Sequence, residues 1–404
     1  MRVLLLAHFY PPETHGGTQA YVSWLARGLA AKGHAVEVIA GARDGNGATV
    51  TRMEAGGVRV HRIHRLLPDE AFAGDLPCPR IQEEVRRIAR VFGPDLVHVH
   101  HWHALSHGLV SLLEGDGAPV IVTLHDLFVS CPRFFRLPPE GPFCPPTTSF
   151  ADCAACVAAD MGHPPPHALT ASLEARFEGF LDELDRAAAV LTVSEFQKRT
   201  LEALPRFPED VLEVLPLGIP EIQPAPRPPR NDDVLRIVHW AGLDIRKGPQ
   251  ILLDAVRRAS HPDRIHVRFH GREGQEDFME ALRLRAAGLQ VEFRGPFDDA
   301  ELPAIAAWGD VAVFPFLAYE TYGLVVDEAL TLGLPVLTAD RGAPPERLGA
   351  RGLTFDPEDV SSLTSLLDTL AADRPRLTAL SRAPHLARPF STHLAHLLEL
   401  YTRQ

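Results

Sequence analysis

The sequence predicts an α/β protein made of two consecutive domains, each built around a doubly wound parallel sheet. Short apolar runs alternate with amphipathic helical patterns through the first half of the chain, and the same alternation restarts after a proline-rich stretch. Polar residues gather at the carboxyl ends of the apolar runs, where sheets of this kind bind their ligands.

The first predicted strand, 3–9, precedes a loop and a helix with apolar residues at Val22, Leu25, Ala26 and Leu29. Further strands are predicted at 33–41, 95–101, 119–126 and 188–195. The segment 220–233 then has five prolines in fourteen residues and little to bury, which indicates a domain boundary.

After that boundary, strands are predicted at 235–242, 265–271, 291–296, 311–316 and 335–340. We therefore expect an N-terminal domain at 1–219, a linker at 220–233 and a second domain at 234–385. The last segment, 386–404, contains an amphipathic helix. Two placements are open: the helix belongs to the second domain, or it packs back on the first.

Composition excludes several classes of function. A net charge of −12 without a run of Lys or Arg argues against nucleic acid as a partner. No apolar run reaches the roughly 18–20 residues of a membrane span, although peripheral membrane contact stays open. The N-terminal apolar run is too short for a signal peptide, so we expect a cytoplasmic protein.

Two positions in the first domain suit ligand binding. Gly16 and Gly17 lie between the first strand and the first helix, where a backbone can approach an anion, although a plain turn explains them equally well. Their spacing disfavours a nicotinamide cofactor. His125 and Asp126 end an apolar strand, so His125 is either a donor to a hydroxyl or phosphate oxygen or a structural residue. The histidines of 98–108 are better explained as core and crevice lining than as a metal site.

Charged residues mark a second candidate site. Arg246 and Lys247 stand between a strand and a helix, where two cations suit a diphosphate. A helix is predicted to begin near Gly323, with Glu320 just before it and Glu328 on its second turn. The free N–H groups at Thr321 to Leu324 could hold a phosphate, while the two carboxylates could accept from vicinal hydroxyls.

The chain resembles retaining glycosyltransferases of the GT-B fold, most closely glycosyltransferase family 4. The two glutamates of "ETYGLVVDE" match the E-x7-E element of that family. Other matching motifs are "GG" at 16–17, "GHAVEV", "HD" at 125–126, "KG" at 247–248, "FRGP" and "APPE" at 343–346. Their order and spacing together span nearly the whole chain.

The resemblance implies a role for each matching residue. Glu320 would bind hydroxyls of the donor sugar, Glu328 the ribose, and Lys247 the diphosphate. His125 would face the reacting sugar, and Gly17, with Gly16 before it, would approach the phosphates. The remaining implied donor contacts are Arg246 beside the diphosphate, Arg294 and Pro296 by the base, and the segment Thr321, Tyr322, Gly323 and Leu324 by the sugar and phosphate.

The resemblance also implies retention at the anomeric carbon, without a catalytic metal or other catalytic cofactor. The donor phosphate would leave on the face that the acceptor enters, stabilised by Lys247, Arg246 and helix N–H groups. Closure of two domains facing across a cleft would exclude water. Two departures from the family pattern stand out: Gly242 lies where an arginine is common, and Tyr322 where phenylalanine is common.

Four cysteines crowd into an insertion at 131–156. Cys131, Cys144, Cys153 and Cys156 follow the spacing C-x12-C-x8-C-x2-C in a proline-rich segment without apparent apolar periodicity. We expect that this segment cannot fold on a core of its own and that a structural zinc held by four thiolates stabilises it. Redox-active or free thiols are the alternatives.

The sequence thus predicts an enzyme that transfers a sugar from a nucleotide sugar, with UDP favoured and GDP second. The acceptor is open between a saccharide, a lipid-linked sugar and a small natural product, and no oligomeric state is predicted. The alternatives are a sugar-nucleotide epimerase or phosphorylase of the same fold, and a non-catalytic nucleotide-sugar binder.

Overall fold

The computed structural model divides the chain into two compact units, Met1–Gly218 with Phe390–Gln404, and Ile219–Pro389. The structure describes residues 1–12, 16–42, 49–64, 77–138, 143–161, 166–208, 210–228, 230 and 232–404. Its helices are, in chain order, α1 (Gly17–Ala31), α2 (Pro79–Phe92), α3 (Leu109–Glu114), α4 (Phe150–Met161), α5 (Pro166–Arg186), α6 (Glu195–Glu202), α7 (Pro249–Arg258), α8 (Glu276–Ala286), α9 (Leu302–Trp308), α10 (Leu324–Thr331), α11 (Val360–Ala372), α12 (Arg374–Arg382) and α13 (Phe390–Tyr401).

The first unit is built on a largely parallel sheet. Its described strands are β1 (Arg2–Ala7), β2 (Ala35–Ala42), β3 (Thr49–Ala55), β4 (Val58–His64), β5 (Leu96–Val99), β6 (Val120–Leu124), β7 (Ala189–Thr192) and β8 (Leu212–Val214). They lie in the order β3-β4-β2-β1-β5-β6-β7-β8. The strand order reverses between β1 and β5, so the segments after these strands flank the point where such sheets bind ligands.

The second unit repeats this plan in a parallel sheet. Its described strands are β9 (Leu235–Trp240), β10 (Ile265–His270), β11 (Gln290–Phe293), β12 (Val311–Phe314), β13 (Val336–Ala339) and β14 (Gly352–Phe355), in the order β11-β10-β9-β12-β13-β14. The reversal falls between β9 and β12. The segments after these two strands carry Lys247 and Glu320 respectively.

The central strands of both sheets are buried on both faces and largely apolar, as expected where helices cover each side of a parallel sheet. Every residue of β5, β6, β12 and β13 is buried. The predicted strands all correspond to observed ones, but four observed strands were not predicted. Three of these, β3, β8 and β14, lie at sheet edges, and β4 pairs with β3 in an antiparallel hairpin that turns at Gly56 and Gly57.

The C-terminal helix α13 belongs to the first unit. His393 Nε2 lies 2.8 Å from the Tyr21 hydroxyl on α1. The Tyr401 hydroxyl lies 2.5 Å from Nδ1 of His98 at β5. Both contacts are buried, so α13 is held to the first unit by specific hydrogen bonds as well as by its apolar face.

Candidate functional site

A short 3-10 turn after β9 presents the two predicted cations of the second unit. The Asp244 carboxylate accepts the backbone N–H of Arg246 at 2.9 Å and caps this turn, Ile245–Lys247. Gly248 ends it with φ +75°, and a Cβ there would lie 1.7 Å from the carbonyl oxygen of Pro315. Only glycine fits so close to a neighbouring backbone, which explains the Lys-Gly pair.

The same turn is joined to the segment after β12. The backbone N–H groups of Leu317 and Ala318 donate to the Arg246 carbonyl at 2.9 and 3.0 Å. These bonds bring Lys247 beside Glu320, and the Lys247 ammonium donates to Glu320 Oε1 at 2.7 Å. The side chains are 26% and 12% exposed, so this is a largely buried ion pair and not a pair of solvated surface charges.

Arg246 does not share this position. Its guanidinium Nε donates to Asp244 at 3.1 Å, and its side chain is 49% exposed. Of the two cations predicted to hold a diphosphate, Lys247 therefore contacts the predicted site glutamate, whereas Arg246 contacts its own capping residue.

The second glutamate lies at the same end of the sheet. Trp240, the last residue of β9, donates its indole N–H to Glu328 Oε2 at 2.8 Å. Burial raises the pKa of Glu328 to about 7, which the Trp240 hydrogen bond partly opposes and the charges of Asp299 and Asp327 increase. At neutral pH this carboxyl group is therefore poised between its protonated and ionised forms.

The predicted helix start near Gly323 is confirmed. Gly323 has φ +82° and precedes the first residue of α10, Leu324. Glu320 lies in the preceding loop and Glu328 on the second turn. The intervening Tyr322 is buried, whereas Thr321 and Gly323 are partly exposed. The first backbone N–H groups of an α-helix lack partners within it and favour an anion.

Arg294 and Pro296 follow β11, at the edge of the sheet. Both are exposed, and the Arg294 guanidinium donates to Glu292 at 3.1 Å. The strands β10 and β9 separate β11 from β12, so these residues are not brought into contact with Glu320.

His125 directly follows β6 in the first unit and is buried. Its Nε2 lies 3.1 Å from Nδ1 of His100, and its ring lies 5.1 Å from that of Tyr21, centroid to centroid. Burial lowers the pKa of His125 well below its ordinary value, and the neighbouring His100 lowers it further. The imidazole is therefore neutral at physiological pH and suited to hydrogen bonding.

Asp126, directly after His125, is held by its own partners. His101 Nε2 lies 3.2 Å from Asp126 Oδ2, and the backbone N–H of Phe128 donates to Oδ1 at 2.9 Å. Burial alone would raise the pKa of Asp126, but the charge and hydrogen bond of His101 keep it below the ordinary value. Most of the 98–108 histidines are buried, in agreement with their assignment to core and crevice lining.

Gly16 and Gly17 lie at the start of α1, beside the switch point of the first sheet. Gly16 is the residue before the helix, and a Cβ there would lie 2.4 Å from Gln19 Oε1. Gln19 in turn lies 2.7 Å from Nε2 of His8, which follows β1. Both glycines are exposed, and Gly17 is the first residue of the helix.

The predicted zinc site is not confirmed. Within the described ranges, no group of three or more His, Cys, Asp or Glu side chains is placed to hold a metal ion, and the cysteines are free. Burial raises the pKa values of the thiols of Cys131, Cys144 and Cys153, the last to about 11. As free thiols these three are therefore protonated at neutral pH.

The end of this segment packs on a core that it shares with the following helix. Cys153 and Cys156 lie on α4, which packs against α5 through a small apolar cluster. The members of that cluster are Ala154, Val157, Leu169 and Leu173. The helical spacing of Ala154 and Val157 was the signal available in the sequence.

Sequence reasoning did not identify Trp240, the partner of Glu328, or the buried charges Asp327 and Arg347. An aromatic residue at the end of a strand and a basic residue directly after the "APPE" motif were the only local signals.

None of the helices described is both long and apolar enough to cross a membrane.

Known proteins similar to this chain agree with these observations. Residues 15–221, more than half of the chain, match Glycosyltransferase Family 4, and residues 235–373 match Glycosyl transferases group 1. Glycogen synthase of Mycobacterium tuberculosis is 25% identical over 406 residues, covering 94% of this chain and 89% of that protein. The MMP alpha-(1->4)-mannosyltransferase of Mycolicibacterium hassiacum is 27% identical over 413 residues, covering 93% and 90%.

Solved structures share the fold. Sucrose-phosphate synthase from Thermosynechococcus elongatus superposes with a TM-score of 0.73 at 19% identity, over 100% of this chain and 99% of that one. Anabaena HepE superposes with a TM-score of 0.67 at 16% identity over 100% of both chains. The chain has two α/β units with largely parallel sheets, and its fold matches these structures. Together with the family match over half the chain, this identifies the protein as a glycosyltransferase of the GT-B fold that belongs to Glycosyltransferase Family 4.

Proposed function

We propose that this glycosyltransferase is a retaining enzyme that moves a sugar from a nucleoside diphosphate sugar to a hydroxyl-bearing acceptor. The second unit would hold the donor, and the first unit, which contains His125, would bind the acceptor. The observation that carries the proposal is the Lys247–Glu320 ion pair before α10, with Glu328 one helical turn further along.

The arrangement of these side chains supports a division of roles. Lys247 is a compact cation suited to phosphate oxygens, and the N-terminal end of α10 adds positive potential beside it. Glu320 is 12% exposed and can accept hydrogen bonds from sugar hydroxyls. Glu328, oriented by Trp240, can accept from the vicinal hydroxyls of a ribose.

The same groups account for leaving-group stabilisation. When the bond from the anomeric carbon to the donor phosphate breaks, negative charge develops on the diphosphate. Lys247 and the first N–H groups of α10, which are in place before the reaction, would stabilise that charge. The departing phosphate would take the acceptor proton on the face that the acceptor enters, which yields retention of configuration.

Relatives support a saccharide-directed reaction but differ in nucleotide. HepE has been solved with UDP and glucose and with UDP-glucose, whereas starch synthase IV of Arabidopsis thaliana was solved with ADP and acarbose. The curated relatives include a glycogen synthase and a mannosyltransferase. We favour a UDP-sugar donor, with a GDP-sugar second, and a saccharide, lipid-linked or small natural-product acceptor, as in polysaccharide biosynthesis.

A thermal-shift screen against UDP, GDP, ADP and their common sugar conjugates tests the donor class. The true donor or its nucleotide raises Tm by mass action. Glu328→Ala should abolish that rise without unfolding the protein, whereas Glu280→Gln, an exposed position on α8, should preserve it. No stabilisation by any member of the panel would refute the proposal.

The stereochemical proposal needs a separate measurement. Proton NMR of the first product formed, before mutarotation, gives the anomeric configuration relative to the donor. Retention predicts the same configuration as in the donor. Inversion would contradict the proposed departure of phosphate on the acceptor face.

A structural zinc in the Cys131–Cys156 segment stays a separate proposal. It is supported by the C-x2-C pair in the first two turns of α4 and by the approach of Arg133 Nη1 to Cys156 Sγ at 3.4 Å, which brings the loop after Cys131 to the helix. Metal analysis of protein purified without chelator should find about one zinc per chain. Loss of that zinc in Cys153→Ser is the expected control, and metal-free wild-type protein would refute the site.

A further inference from the structure

The second unit contains a buried charged cluster that the proposed function does not use. Asp327 is 0% exposed, Arg347 5% and Tyr322 4%. Buried ion pairs often contribute little to stability, because removing two charges from water offsets their attraction. A cluster of this kind beside a candidate site therefore calls for another explanation.

The hydrogen bonds within this cluster are extensive. Arg347 donates from Nε to Asp327 Oδ1 at 2.5 Å, from Nη1 to the Ala343 carbonyl at 2.9 Å, and from Nη2 to the Tyr322 carbonyl. Its guanidinium also lies 3.8 Å from the centroid of the Tyr322 ring. The Tyr322 hydroxyl donates to the other oxygen of Asp327 at 2.9 Å. The fork of arginine satisfies three acceptors that a lysine could not reach together.

These contacts hold the loop that carries the candidate donor ligands. The Tyr322 carbonyl directly precedes Gly323 and the first turn of α10. The backbone N–H of Ala343 donates to the Glu320 carbonyl at 2.8 Å. A Cβ at Gly342 would lie 2.7 Å from that carbonyl oxygen, so the two segments are packed backbone to backbone.

We propose that Arg347, Asp327 and Tyr322 are positioning residues that orient the 320–324 loop toward the donor diphosphate and sugar. The proposal rests on the proposed function of this site. Glu320 lies on one side of the cluster and Glu328 directly follows Asp327 along α10. Because a displacement of about 1 Å in a site can cost about a hundredfold in rate, fixing this loop is a sufficient reason to bury the charges.

The chain itself offers a matched control. Asp310, at the amino-terminal edge of the same sheet, is a second largely buried carboxylate and accepts from Arg230 and Arg374 at 2.8 and 3.2 Å. It lies at the end of β12 opposite to the candidate site. Asp310→Asn should lower Tm while leaving the donor affinity of the folded protein unchanged.

The test compares three changes in the full chain, using whichever of UDP, GDP or ADP stabilises the wild type most. Tyr322→Phe should weaken nucleotide binding by about threefold and Arg347→Lys by about tenfold. The combined change Arg347→Met, Asp327→Leu and Tyr322→Phe should weaken it by about a hundredfold. In each case kcat should fall as KM for the donor rises, because the loop is misplaced in folded protein.

The combined variant replaces all three polar groups with apolar ones of similar size, which is often neutral for stability. If it binds nucleotide as tightly as the wild type, the cluster does not position the loop and the proposal fails. If it does not fold, Tyr322→Phe and Arg347→Lys decide in the same way, by Kd measured at a temperature well below the Tm of each variant. A wild-type protein that binds none of the nucleotides overturns the proposed function, and this inference with it.

Discussion

At the carboxyl edge of the first sheet most of the polar side chains are buried imidazoles, whereas at that of the second sheet they are an ammonium group and carboxylates. Burial lowers the pKa values of His98, His100 and His125 well below the ordinary value, so these imidazoles are uncharged at neutral pH. The Asp126 carboxylate beside them is hydrogen-bonded to His101. The second edge holds Lys247 and Glu320 as an ion pair.

Two doubly wound sheets thus present different chemistry at their carboxyl edges. An edge with an ion pair and a helix N-terminus suits an anionic ligand with hydroxyl groups, whereas neutral imidazoles suit hydrogen bonding to an uncharged one. If this difference reflects function, changes at the second edge should affect donor binding. Changes at the first should affect transfer alone.

The largest expected effect comes from Lys247→Ala. It removes the proposed phosphate cation and leaves Glu320, which is 12% exposed, without its ion-pair partner. We expect kcat/KM for the donor to fall by about 10²–10³-fold, as for loss of one preorganised group that stabilises a leaving charge. Steady-state kinetics measure this, with Lys198→Ala as control, since Lys198 pairs with Glu202 on the surface of α6. A loss of less than about threefold would remove Lys247 from the site.

His125→Ala tests the other side of the comparison. We expect kcat to fall by about tenfold to a hundredfold through loss of a buried hydrogen-bonding group, while the Kd of the nucleoside diphosphate stays unchanged. Isothermal titration and initial rates separate the two quantities. NMR of the His125 ring should show titration only well below the pH range of an ordinary imidazole, because its folded pKa is lowered. His396→Ala, exposed on α13, is the control, and a weakened nucleotide affinity in His125→Ala would break the proposed division between the units.

Part of the candidate site can be predicted from the sequence alone. His125 and Lys247 were identified because each follows an apolar run that had to be a buried strand, and the carboxyl ends of the parallel strands lie at the ligand-binding edge of each sheet. Glu320 and Glu328 were identified from the glycine before a helix. Local sequence patterns therefore identify those site residues that directly follow a buried strand or lie at the start of a helix.

Partners brought together by tertiary structure were beyond that reasoning. The Trp240–Glu328 contact joins residues 88 positions apart, and the Asp327–Arg347 pair depends on how a turn packs against α10. No periodicity encodes either. By contrast, the β3–β4 hairpin was missed although its alternating residues and glycine pair are a sequence signal. The core under α4 was not predicted because Ala154 and Val157 are small apolar residues in a segment rich in cysteine and proline, where their helical spacing is a weak signal.

The pH dependence of stability and of nucleotide affinity should distinguish the second edge from the first. The folded pKa of Glu328 is about 7 against an ordinary value of 4.5, so the native state holds more protons between these two pH values. The contribution of Glu328 to stability is therefore greatest at low pH and declines as the pH rises from about 4.5 to 7.

Nucleotide binding that requires the ionised carboxylate should change in the opposite direction. We expect the affinity to strengthen by about tenfold between pH 6 and pH 8, following the ionised fraction of a group with a pKa near 7. Titrations at fixed ionic strength measure it. Glu328→Gln should bind weakly at every pH, and a wild-type affinity independent of pH would contradict the role of Glu328.

The smallest effect on activity is predicted for Tyr401→Phe. This change tests whether a buried hydrogen bond in the first unit contributes to stability alone or also to catalysis. The Tyr401 hydroxyl lies 2.5 Å from His98 Nδ1, and the other ring nitrogen of His98 lies 2.7 Å from Thr123. Removing the hydroxyl leaves one nitrogen of a fully buried imidazole without its partner on α13, which should cost about 1–3 kcal/mol of unfolding free energy. Denaturant unfolding measures this. Because His98 lies within β5, whereas His125 follows β6 at the ligand edge, kcat and donor Kd should stay at wild-type values. A fall in kcat at unchanged stability would instead mean that α13 acts on catalysis through the imidazoles next to His125.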